Sequence, residues 1–243
     1  METPGYHSVQ HDDTWRFFYR HHKFYIFFLF IILLVFSLLY SNTPAVPTDL
    51  FNQKLLSEIQ KKYGLDAKKR VATWLQLIQD YKDKPEQDKL TAANHFLDQI
   101  EYRPDMHGTN AAKDHYWATP LEFLGTGAGD CEEFAISKYF TLKYMGISED
   151  KMRIAYVKVL DINRAHMVLA YYPTPNADPL ILDNLILAIK PASERTNLLP
   201  VYSFNGGGLW LAKQRLQGGE RISGPERLSL WRDLSARMAK ELH

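Results

Sequence analysis

The sequence predicts an α+β domain, with helices in its first part packed on an antiparallel sheet formed by its second. Two observations carry that prediction. Apolar residues recur at helical spacing as far as Tyr144, and from Arg153 onward the pattern changes to short segments rich in Ile, Val, Tyr and Leu. No internal repeat or low-complexity linker interrupts the change, so both parts read as one domain.

Taken in order, Thr48 or Asp49 caps a helix with Leu50, Phe51, Leu55, Leu56, Ile59 and Tyr63 along one side, and Gly64 ends it. Asp66 starts a second, with Val71, Trp74, Leu75 and Ile78 at helical spacing. Pro85 opens a third that runs to about Tyr102, before Pro104. A break at Gly125-Thr126-Gly127-Ala128-Gly129 precedes a helix from about Asp130 to Tyr144, closed by Gly146. Arg153–Leu160 and His166–Tyr172 have the composition of strands. Leu180–Asp183 and Ile186–Ile189 read as a hairpin turned near Asn184-Leu185, and Val201–Asn205 and Gly208–Leu211 as short strands around a glycine turn. The capping-box spacing Ser223-Gly224-Pro225-Glu226 predicts a final helix to about Lys240.

Phe24 to Tyr40 is an apolar run of seventeen residues with Arg16, Arg20 and Lys23 before it and no basic residue after it until Lys54. As a helix it is about 25 Å long, close to the hydrocarbon thickness of roughly 30 Å. The positive-inside rule puts the start in the cytoplasm and everything after Tyr40 across the membrane. Residues 1–45 therefore read as a cytoplasmic start plus a signal peptide or signal anchor, and residues 46–243 as the folded domain. No cysteine stands directly after the run to take a lipid.

The 243 residues are 46% hydrophobic and 23% charged, which excludes wholesale disorder. Lys and Arg (29) nearly balance Asp and Glu (28), an argument against nucleic acid as a partner. The single cysteine, Cys131, excludes an internal disulfide framework and a cysteine-cluster zinc site.

Chemistry concentrates at Gly129-Asp130-Cys131-Glu132-Glu133, where a glycine-rich loop delivers that thiol to the first turn of a helix. Free backbone N–H groups there favour a thiolate and can donate to an oxyanion. His166 stands in a strand, in Arg164-Ala165-His166-Met167-Val168-Leu169, and Asp183 ends Leu180-Ile181-Leu182-Asp183. Adjacent strands can set a base beside the thiol and a carboxylate behind the base. Taken singly, a lone cysteine is most often a small buried hydrophobe, a strand histidine a core residue and an aspartate at a strand end a turn former. As a set in an exported chain they favour catalysis. Asp130, Glu132 and Glu133 surround the thiol with negative charge, which opposes a thiolate. Helix capping accounts for some of that charge; a bound hard cation gathers all three, and oxygen ligands suit Ca²⁺, although no EF-hand spacing is present.

These residues also carry a resemblance. Trp117-Ala118-Thr119-Pro120-Leu121-Glu122-Phe123-Leu124, the glycine break, Gly129-Asp130-Cys131-Glu132-Glu133-Phe134-Ala135 and Lys138-Tyr139 are similar to the bacterial transglutaminase-like cysteine proteinases of the LapG type. The resemblance spans roughly Thr48 to Trp210. It implies a papain- or transglutaminase-like α+β fold with Cys131 as nucleophile, His166 as general base and acid, and Asp183 orienting the imidazole. It implies Ca²⁺ dependence with Asp130 and Glu132 as matched ligands, and Glu133 where the family often has aspartate. The implied substrate is the amino-terminal periplasmic segment of a large surface adhesin, cut at a double-alanine site, which releases the adhesin and promotes biofilm dispersal. The implied regulator is an inner-membrane receptor that senses cyclic di-GMP inside and sequesters the protease outside.

Two other readings share the residues. An amidase or transglutaminase uses the same triad with a different acceptor, and a calcium-dependent binding module keeps the thiol buried and inert. His95, His107 and His115 are too scattered for a zinc motif. Trp117 is expected near the cysteine's cleft and Trp210 in the core.

Overall fold

The computed structural model describes residues 48–104, 116–212 and 219–241. The chain divides into two units, Met1–Phe51 and Asn52–His243. The apolar run 24–40 and the expected division at 45/46 lie outside the described residues, among which no helix is long and apolar enough to cross a membrane.

Helix α1 (Thr48–Tyr63) ends at Gly64, whose φ of 93° lies in the region that favours glycine. Helix α2 (Leu65–Tyr81) buries Ala67, Val71 and Trp74 at helical spacing. Helix α3 opens after Pro85 but spans only Glu86–Leu97, not the length to Tyr102 that the sequence suggested. The chain leaves the helix because Glu101–Tyr102 forms a short parallel strand, β1, on strand β2 (Ala128–Gly129), and the Arg103 N–H donates to the Gly129 carbonyl at 2.8 Å. That ladder pins the glycine loop ahead of Cys131. Helix α4 (Pro120–Thr126) fills what the sequence left as a motif followed by a break. Thr119 caps it in a full capping box with Glu122, proline follows the cap, and Gly127 at φ 73° ends it.

Helix α5 (Cys131–Tyr144) is the centre of the molecule. Every residue from Glu133 to Leu142 is buried, as expected of a helix covered on all sides. Phe134 packs with Val71, Trp74, Leu97, Leu121 and Phe123, on the side of α2, α3 and α4. Ile136, Tyr139, Phe140 and Leu142 join Ile154, Met167, Leu169 and Phe204 of the sheet. Each such side chain contributes about 1.5–3 kcal/mol when fully buried.

The sheet has seven antiparallel strands: β3 (Met152–Val159), β4 (Arg164–Tyr171), β5 (Leu180–Leu182), β6 (Lys190–Pro191), β7 (Leu198–Asn205), β8 (Gly208–Ala212) and β9 (Gly219–Ser223), in the spatial order β6-β5-β4-β3-β7-β8-β9. The α+β expectation holds. Ala155, Val157, Val168, Ala170 and Ile181 form a second cluster on the sheet, on the face opposite Ile154 and Leu169.

Three further local expectations do not hold. Ile186–Ile189 is not a strand, since the Leu187 carbonyl is taken by the Asn94 side chain and the Leu185 N–H by Asp183; Lys190–Pro191 pairs with β5 instead. Strand β7 starts three residues before Val201 and runs through Pro200, at a register shift against β3 that accommodates the missing donor. Ser223 is no helix cap, because it is paired with Leu209 in the β8–β9 ladder; a single turn at Pro225–Arg227 follows, and helix α6 begins only at Ser229, ending at Glu241.

Candidate active site

Cys131 is the first residue of α5, and Asp130 is its cap. The Asp130 backbone is extended, with φ −104°, and its Oδ1 accepts from the Glu132 N–H at 3.1 Å. Glu133 completes the box, with Oε2 accepting from the Asp130 N–H at 3.1 Å and Oε1 from the Ala118 N–H at 3.0 Å. The loop in front leaves no room. A Cβ on Gly129 lies 2.8 Å from the Phe123 ring and 2.9 Å from the Glu133 Cβ. Gly129→Ala is therefore expected to cost about 1–3 kcal/mol by overpacking. Chemical denaturation reads that cost, and an unchanged midpoint would show that the loop is not tightly packed.

The Cys131 thiol donates to Glu132 Oε2 at 2.8 Å, and the Met167 backbone hydrogen-bonds to the sulfur. That contact exists because β5 pairs with β4 only as far as Leu169, leaving β4 at Met167 without a strand on that side. Burial first, and then the charges and hydrogen bond of Glu132 and the charge of Asp130, push the thiol far above its ordinary range. Burial, together with Asp130, raises Glu132 to about 7, and the same causes hold Glu133 well above the usual carboxylate range. Tyr102, at the rim, feels the same surroundings: burial and the charges of Cys131 and Asp130 raise its phenol.

On β4, one residue before Met167, His166 is 4% exposed and its Nε2–H donates to Asp183 Oδ1 at 2.7 Å. The Leu185 N–H donates to the same oxygen at 3.0 Å, and Arg195 Nη2 donates to Oδ2 at 2.7 Å. Burial raises the Asp183 carboxyl, but His166, Leu185 and Arg195 outweigh it and hold the group below its usual value. Asp183 is thus a fixed anion, and the Nε2 proton of His166 is committed to it. Arg195 was not found from the sequence. Nor was the buried pair of Lys138 Nζ and Asp98 Oδ1 at 2.7 Å, which adds two charges near Asp183.

Ligand atoms of Asp130, Cys131 and Glu132 lie within 4.8 Å of one another. The two carboxylates there are oxygen donors crowded enough to oppose each other's ionisation, which fits a hard divalent cation. Glu133, also expected among the ligands, has both oxygens on backbone N–H groups instead. Among the other residues singled out, His95 is exposed and bonded to Gln99, while His107 and His115 lie outside the described residues. Trp117 is buried in the core with its ring stacked on Phe204 at 5.5 Å, and Trp210, expected in the core, is only half-buried with the Arg153 guanidinium over its ring.

No curated protein matches the chain. Two solved structures of LapG from Legionella pneumophila are similar to it, each 43% identical over 77% of this chain. The EGTA-treated form is covered to 97% with a TM-score of 0.68, and the calcium-bound form to 98% with a TM-score of 0.65. The family model described as bacterial transglutaminase-like cysteine proteinase BTLCP matches residues 75–200. A cysteine at the head of a central helix, its sulfur bonded by the backbone of the strand that carries His166, on a transglutaminase-like fold, agrees with both findings: the chain belongs to the bacterial transglutaminase-like cysteine proteinases and is a cysteine peptidase.

Proposed function

We propose that this peptidase is a calcium-dependent endopeptidase of the periplasmic space, with Cys131, His166 and Asp183 as its triad. Its substrate is the amino-terminal segment of a large surface adhesin, cut at a double-alanine site. The observation that carries the triad is the hydrogen-bonded His166–Asp183 couple, one residue along β4 from the Met167 backbone group that bonds the Cys131 sulfur. With Nε2 held by Asp183, Nδ1 is the ring atom left to take the thiol proton. The sulfur then attacks the scissile carbonyl carbon, and backbone N–H groups at the start of α5 receive the oxyanion. His166 passes its proton to the leaving amine, a thioester remains, and water deprotonated by His166 releases the acid and restores the thiol.

Asp130 and Glu132 would hold the calcium ion, which supplies positive charge beside a thiol that the bare carboxylates keep protonated. Their crowding and the calcium-bound form of LapG support this reading. Calcium is expected to speed iodoacetamide labelling of Cys131 at neutral pH about tenfold for each unit by which it lowers the thiol. Glu132→Gln should weaken that calcium effect. Equal labelling rates in calcium and in chelator would remove the ion from the site.

The adhesin, the location and the regulator rest on the likeness to LapG-type proteinases and on the apolar run 24–40, which either tethers the enzyme to the inner membrane or is cleaved. An inner-membrane receptor that binds cyclic di-GMP on its cytoplasmic side would sequester the enzyme and so control adhesin release. The test is a gel assay of the full chain with the amino-terminal fragment of an adhesin encoded in the same genome, in calcium and in chelator. One calcium-dependent cut is expected. An intact fragment, with the enzyme folded and calcium present, would sink the substrate assignment. A product heavier than the substrate would instead favour the transglutaminase reading.

A further inference from the structure

Asp183 has more partners than a residue that merely closes a strand needs. Its Oδ1 takes the His166 and Leu185 N–H groups and its Oδ2 takes Arg195. Arg195 itself is 3% exposed, and Asp183 is the only carboxylate paired with it among the described residues. Its Nε reaches Asn197 Oδ1 at a long 3.4 Å, and its Nη1 is buried without a hydrogen-bond partner. A guanidinium this poorly satisfied away from Asp183 is a poor device for stability, because an apolar side chain fills such a space at lower cost. Its one good bond fixes the carboxylate that fixes the histidine. The segment that carries it, between β6 and β7, is held by backbone bonds from the Arg195 N–H to the Ala192 carbonyl and from the Leu198 N–H to the Arg195 carbonyl. The arginine is therefore placed before the substrate arrives.

We infer that Arg195 is a positioning residue for the triad: it clamps Oδ2 of Asp183 so that Oδ1 is presented to His166 Nε2, and its charge offsets that of Asp183 at the imidazole. The inference rests on the triad reading above. Two further charges act on Asp183, those of Lys138 and Asp98, which pair with each other. Neither bonds Asp183, so Arg195 is the cation whose removal changes its charge balance most directly.

The test compares the full-length wild type with Arg195→Met and Arg195→Lys in the calcium-supported cleavage assay across pH. Arg195→Met is expected to lose kcat by tenfold to about a hundredfold, the range seen when a partner that orients a reacting residue is removed, with KM little changed. The acid limb of kcat/KM, set by the base that must be free to take the thiol proton, should move up by about one unit, because that base then faces an uncompensated anion. Arg195→Lys keeps the charge but not the fork, so it should keep the wild-type pH limb and lose part of kcat; it also carries the test if the methionine variant does not fold. Added guanidinium should restore part of the Arg195→Met rate. A wild-type pH limb in a folded Arg195→Met would overturn the inference and leave a structural role only, as would a shifted limb in Arg195→Lys. A wild type whose cleavage survives Cys131→Ala would overturn the triad reading instead, and the two failures are told apart in one set of assays.

Discussion

Cys131→Ala is expected to reduce peptide cleavage by about 10⁵- to 10⁶-fold, the loss seen when a triad nucleophile is removed. The fold should survive. The residues that start α5 are Asp130 and Glu133, whose capping bonds use no atom of the cysteine side chain. Cys131 is a small, half-buried residue, so the loss of its sulfur costs about 1 kcal/mol. Calcium affinity should persist as well, since Asp130 and Glu132 keep their carboxylates. Calorimetry with calcium and a cleavage gel on the same preparation check both halves. Cleavage at an undiminished rate would dismiss Cys131 as nucleophile. Lost calcium binding would make the sulfur part of the metal site. An inactive wild type that still binds calcium, with a thiol that resists labelling in its presence, would point to the binding module.

What the sequence disclosed follows from the range of the forces involved. The start of α5 is legible because a cap and its glycine loop are local, and the change of period after residue 150 is legible because burial alternates along each strand. The acidic cluster shows the limit. Asp130-x-x-Glu133 is at once a capping-box spacing and a pair of prospective cation ligands, and only the Ala118 and Asp130 N–H groups, which occupy both Glu133 oxygens, separate the two. Helix α4 carried its own signals, a threonine cap, a proline and a glutamate at the box spacing, but its seven residues are too few for periodicity. Strand β1 and its parallel pairing with Ala128–Gly129 depend on a contact across 27 positions, which no local pattern encodes. Arg195 lies in a polar stretch, Ala192-Ser193-Glu194-Arg195-Thr196-Asn197, that reads as a solvated turn. Its burial is set by Asp183, twelve positions away.

Asp183→Asn is expected to cost about 10⁴-fold in kcat, as it does where an aspartate sets the tautomer of a catalytic histidine. The partners in this structure explain why the amide cannot substitute. Oδ1 receives two donors, the His166 Nε2–H and the Leu185 N–H, and Oδ2 receives a third from Arg195. An asparagine has one acceptor oxygen and one NH₂ group. If the oxygen stays with Arg195, the NH₂ meets the Leu185 N–H and can serve His166 only by donating to Nε2. That forces the ring proton onto Nδ1, the atom needed to take the proton from Cys131. If the oxygen turns to His166, the NH₂ faces the buried guanidinium and leaves its charge unpaired, a loss of 3–5 kcal/mol on the scale of a broken buried ion pair. Either orientation thus fails, one through the tautomer and the other through stability. A thermal melt and the ¹⁵N shifts of the His166 ring distinguish them. A ring protonated at Nδ1 in a stable variant identifies the first, and a marked drop in melting temperature with Nε2 still protonated identifies the second. A stable variant with the wild-type tautomer and near-wild-type turnover would take Asp183 out of the triad.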